Sequence, residues 1–107
     1  MNKTMISIAL GAASIIGTAW AQSGETWWYC TNVSGATASV SQIFRGDVLN
    51  PSEYQIVQDE IVMGWQQLLA DRGVVVGTAL CTSTGTEAQA TTSRSDFIQA
   101  NNAAVLD

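Results

Sequence analysis

Two cysteines, Cys30 and Cys81, are the only thiols in the chain, and whether they bridge decides which folds are open to it. The N-terminus bears on that question. Lys3 is followed by the uncharged run from Met5 to Ile16 and then by Ala19-Trp20-Ala21. A charged start, an apolar middle and small residues where a signal peptidase reads are the order of a secretory signal peptide. A membrane anchor needs about 20 continuous apolar residues. This run is shorter and is broken by Gly11, Ser14, Gly17 and Thr18. Residues 1–21 are therefore expected to be a bacterial signal peptide. Residues 22–107 are expected to form one small α+β domain, periplasmic or secreted, with no transmembrane segment in the mature chain. No Cys follows the cleavage site, so lipid attachment there is not expected.

Export places both cysteines in an oxidising compartment, where an even pair bridges. The closed loop of about 50 residues makes such a bridge worth roughly 4 kcal/mol in chain-entropy terms. That is comparable with the ~3–5 kcal/mol that the core of so small a domain supplies. A redox or metal role fits less well, because neither Cys lies in a C-x-x-C motif and the chain has no His.

After Ala21 the chain has three basic residues, Arg45, Arg72 and Arg94, against nine acidic ones. A nucleic-acid partner is excluded on these grounds, since binding one needs clustered Lys and Arg. An anionic membrane surface is disfavoured for the same reason.

Trp27–Val33 is rich in aromatic and β-branched residues, as strands are. Ser34-Gly35 marks a turn, and Ala36–Phe44 alternates, so the two segments predict a β-hairpin. Asn50-Pro51-Ser52-Glu53 is a helix start, with Asn50 as cap, Pro51 in the first turn and Glu53 within reach of the cap. Tyr54, Val57, Ile61, Trp65, Leu68 and Leu69 recur at helical spacing, and Gly73 closes the run as a left-handed cap. Gly64, inside this helix, predicts a close contact or a bend. Val74–Thr82 reads as a central, buried strand beside the first one. Thr84 and Glu87 have capping-box spacing and open a second helix. Its apolar face is weak (Ala88, Thr91, the Arg94 stem or Ser95, and Ile98, with Phe97 beside it), and the tail beyond Asn101 is expected to fray. The order β-β-α-β-α predicts an α+β two-layer sandwich. A small antiparallel or mixed sheet carries both helices on one face, with one disulfide.

Ala38–Phe44, Leu69-Ala70-Asp71-Arg72-Gly73, Leu80-Cys81-Thr82-Ser83 and Thr86-Glu87-Ala88 through Arg94 together resemble the SPOR (sporulation-related repeat) domain. The resemblance implies an envelope module that binds peptidoglycan glycan strands. SPOR domains run β-α-β-β-α-β, an order this chain does not share, and no binding residue is carried over from them. The chain is also similar to small Cys-paired secreted proteins of Gram-negative bacteria that end in a C-x(n)-E-A-x(n)-R segment.

No catalytic constellation is present. Serine and threonine lack a His or Lys base in the mature chain, and Asp59 and Glu60 point in different directions on a helix. No catalytic residue, metal site or cofactor is expected. The candidate binding residues are Trp27, Trp28 and Tyr29. Alternate strand residues face opposite sides, so a sheet covered on one face exposes one or two of these rings, which then suit sugar stacking or partner contact. The competing reading has them cap the core edge near the N-terminus or lie under the second helix. Asn32-Val33-Ser34 fits a glycosylation tripeptide, which a bacterial leader makes irrelevant. The expected function is that of a non-catalytic envelope module binding peptidoglycan or an envelope protein. The alternatives are a secreted inhibitor or immunity-like protein docking a basic partner and, less fitting, a small hydrolase.

Overall fold

The computed structural model describes residues 25–106, so the expected signal peptide lies outside the described residues. The strands are β1 (Trp27–Ser34), β2 (Thr37–Val40), β3 (Phe44–Arg45), β4 (Thr78–Thr84) and β5 (Ala104–Val105). The helices are α1 (Tyr54–Asp71), entered through a 3-10 turn at Pro51–Glu53, and α2 (Glu87–Asn101). The class is α+β, with a mixed five-stranded sheet, two helices and a Cys30–Cys81 disulfide.

The sheet is organised around β1. On one side β1 pairs antiparallel with β4, and on the other with β2 and then β3. β5 adds to β2 in parallel at the far edge. The Val74–Thr82 run is therefore not a central strand. The strand begins at Thr78, lies at the edge, and leaves Val75 71% exposed. Nor does the tail fray. Leu106 N–H donates to the Val40 carbonyl at 2.8 Å, and this bond fastens β5 in place.

The two helices take opposite faces of the sheet, not the same one. Trp28, Cys30 and Cys81 pack against Trp65 and Leu69 of α1, whereas Tyr29 and Val40 pack against Ala90 of α2. The reason lies in β1. Successive side chains point to opposite faces, and Trp28 and Tyr29 are both too large and apolar to leave in water. Each face therefore needs a cover.

The expected single strand from Ala36 to Phe44 is broken. Thr31 is paired with Val40, but Trp28 with Phe44. The second strand thus carries one extra residue over Ser41–Ile43, a β-bulge. Ser41 holds it together. Its N–H donates to the Cys30 carbonyl, and its hydroxyl accepts the Cys30 N–H at 2.8 Å. Because both backbone groups of Cys30 turn toward Ser41, Cys30 faces Cys81 as a non-hydrogen-bonded pair. In such pairs side chains come closest, and the Cα atoms are 4.0 Å apart.

The helix ends follow local chemistry. Asn50 Oδ1 accepts the Ser52 N–H at 3.0 Å, while Glu53 makes no side-chain cap bond. Gly73, at φ 71°, completes a Schellman turn with Val74 N–H on the Leu69 carbonyl and Gly73 N–H on that of Ala70. The cap of α2 is Thr86 rather than Thr84, accepting the Gln89 N–H at 3.1 Å. Ile98 and the flanking Phe97 pack toward the sheet as expected, but Ala90 joins them there while Ala88, Thr91 and Ser95 of the expected face are exposed.

Candidate functional site

Trp28 and Tyr29 are core residues. Trp28 is fully buried, donates from Nε1 to the Gly46 carbonyl at 2.8 Å, and stacks on Tyr54 with ring centroids 5.6 Å apart. Tyr29 is buried under α2, with its hydroxyl bonded to that of Ser93. Trp27 alone is half-buried. Its Nε1 donates to Glu25, and the Arg45 guanidinium lies 5.9 Å from its ring centroid. The three aromatics are therefore divided between two cores and a covered edge. They do not form one stacking surface, because the second sheet face carries a helix. Asn32 is likewise buried, and its side chain bonds the Val75 carbonyl and the Gly77 N–H, so it is a clamp on the approach to β4. Cys30 and Cys81 are bonded to each other in the α1-side core.

Around Trp27 the charges are arranged locally. Arg45 Nε meets Asp47 Oδ1 at 2.8 Å, and Asp47 Oδ1 also accepts the Thr26 N–H. The hydrogen bond and charge of Arg45, helped by that N–H, hold the Asp47 carboxyl below its ordinary pKa despite an opposing desolvation effect. The same hydrogen bond raises the Arg45 guanidinium.

The arrangement best suited to binding lies elsewhere, on the α1 side of the broken strand. Val40 and Phe44 are four apart and would share a face in an unbroken strand. The bulge removes one step of alternation, so Val40 faces α2 and Phe44 turns toward α1. Between Phe44, Gln42 and Ser41 on one side and Ile61, Trp65 and Leu68 on the other lies an open groove of about 330 Å³. Leu106, just after β5, closes one wall, and the lining is almost wholly apolar. Gly64 also lines it, and a Cβ there would meet nothing within 4 Å. The glycine thus widens the groove and makes no tight contact. The volume is at the small end of the range of ligand sites, about 300–1,000 Å³.

Two of the wall residues are held by hydrogen bonds. Trp65 is 4% exposed and donates from Nε1 to the Thr31 carbonyl at 3.0 Å, and Ser41 is fixed by the bulge and by Arg94, whose Nε donates to its carbonyl. The lining presents side chains for contact and offers no nucleophile–base pair. Among the described residues no group of three or more His, Cys, Asp or Glu is placed to hold a metal ion, and no helix is long and apolar enough to cross a membrane. Of the groove residues, only the apolar face of α1 and Phe44 carry a sequence signal. The part played by Gly64, the bulge and Leu106 depends on contacts distant in the chain. Compared with protein-family models, with curated proteins and with solved structures, the chain matches none.

Proposed function

We propose that this protein is an exported, non-catalytic binding module of the bacterial cell envelope, and that it holds a protein partner in the groove between α1 and the bulged strand. The observation that carries the reading is the groove itself: an apolar, open depression whose Trp65 and Ser41 walls are hydrogen-bonded, widened by a helical glycine whose Cβ position is empty. Concave apolar sites on rigid elements are where small domains bind. The disulfide supports a periplasmic or secreted setting, since such bridges persist in oxidising compartments. The SPOR-like segments support an envelope role. A glycan would need open aromatic faces, and Trp28 and Tyr29 do not offer them.

The test compares the mature protein with a Gly64→Leu variant, whose side chain fills the groove from open space. Both are used to capture proteins from native periplasmic extract, followed by quantitative mass spectrometry, and both are sedimented with purified peptidoglycan sacculi. The expected result is a protein retained by the wild type, lost with the variant, and reproduced with the purified partner. Sedimentation with sacculi that is equal for both proteins, without such a partner, replaces this reading with a glycan-binding one.

A further inference from the structure

We infer that the occupant of the groove is a cationic amphipathic polypeptide segment, an inference that rests on the groove being the binding site. At 100° per residue, Glu60, Gly64, Gln67 and Asp71 fall within about 60° of one another on the helix surface. Gly64 belongs to the groove, so this line runs along its rim, with exposed carboxylates at Glu60 and Asp71. They lie roughly 17 Å apart at 1.5 Å per residue.

The segment Tyr54–Asp71 contains no Lys, Arg or His. Of the three arginines, Arg45 is held by Asp47, and Arg94 by the carbonyl of Ser41 on the groove wall opposite α1. Only Arg72 adjoins the rim, at its far end. Folding alone does not favour this pattern. A carboxylate in the last turn opposes the helix dipole, yet Asp71 stands there with no basic residue in that turn, its Oδ1 meeting only the neutral amide of Gln67 at 2.9 Å. Beyond the rim, Ile56 and Met63 are 62% and 68% exposed at the centre of the outward face. A partner therefore meets an apolar groove, two rim carboxylates, then apolar side chains again. That order matches a segment with leucine-like residues on one face and Lys or Arg beside them.

The probes are a synthetic amphipathic leucine–lysine peptide and its leucine–glutamate counterpart, titrated into the mature protein by calorimetry at low and high salt. The lysine peptide is expected to bind, the glutamate peptide at least about tenfold more weakly. Glu60→Gln and Asp71→Asn should each cost about two- to fivefold in affinity, as exposed pairs do, and high salt should weaken binding further. Gly64→Leu should abolish it at a melting temperature no lower than that of the wild type. Equal, groove-dependent binding of both peptides leaves the groove reading standing and overturns the cationic partner. Lysine-peptide binding that is indifferent to Gly64→Leu is non-specific attraction and overturns the inference, as does no binding of either peptide.

Discussion

At the scale of single residues, Gly77 and Asn32 fix the approach to β4, through a close backbone contact and two hydrogen bonds. A Cβ on Gly77 would sit 2.1 Å from the Val33 carbonyl oxygen, and backbone cannot yield as a flexible side chain can. Gly77→Ala is therefore expected to destabilise the protein by about 3 kcal/mol or more, the upper range for forced overpacking, read as a shift in the urea midpoint. Asp47 gives a different kind of effect. Its carboxyl ionises more readily in the folded state than in the unfolded chain. Its contribution is thus complete above the unfolded carboxylate's pKa and is lost as pH falls through the lower folded value. Wild type should exceed Asp47→Asn in stability near neutrality, and the gap should close on acidification through the carboxylate range. Denaturant melts of both proteins across pH check this, and a gap that persists at the acid end would show that the ionised form is not the source.

Elements obey the local code until something distant intervenes. The Tyr54–Leu69 spacing places one face of α1 on the core as expected, and Gly73 ends the helix through its left-handed backbone. Gly64 is the exception, because open space surrounds its Cβ position. Gly64→Ala should then follow helix propensity alone and stabilise the protein by about 1 kcal/mol, visible as a higher melting temperature. A loss of stability would mean that the groove tolerates no added volume. The second hairpin strand shows why alternation can mislead. A single extra residue at Ser41–Ile43 inverts which side Phe44 faces. Bonds to side-chain hydroxyls, such as that from the Cys30 N–H to Ser41 Oγ, which stabilise the bulge, leave no mark in hydrophobic periodicity.

For the whole molecule, the disulfide joins the central strand to the β4 edge inside the α1-side core, with Cys30 and Cys81 exposed by only 1% and 3%. Replacing both cysteines by Ala should cost about 4 kcal/mol, from loop entropy over the closed segment. Much of the variant should be unfolded at 37 °C, measurable by circular dichroism. The native bridge should resist mild reductant until denaturant opens the sheet. The three-layer arrangement also changes how Trp27–Tyr29 must be tested. Trp28→Ala would report on folding rather than on binding, since that ring fills the core.

From the residues alone follow the cysteine pair, the existence of both helices, the Asn50 and Gly73 ends of the first, and the pairing of the strand at Cys81 with that at Cys30. These rest on local backbone preference, or on a covalent bond that admits one partner. Tertiary structure decided the rest: which face each helix covers, the edge position of β4, the capture of the C-terminal tail as β5, and the groove. Each depends on how large side chains from distant segments share limited space. Trp28 and Tyr29 drew a helix to both sides of the sheet because neither could remain in water, and no local pattern records that competition.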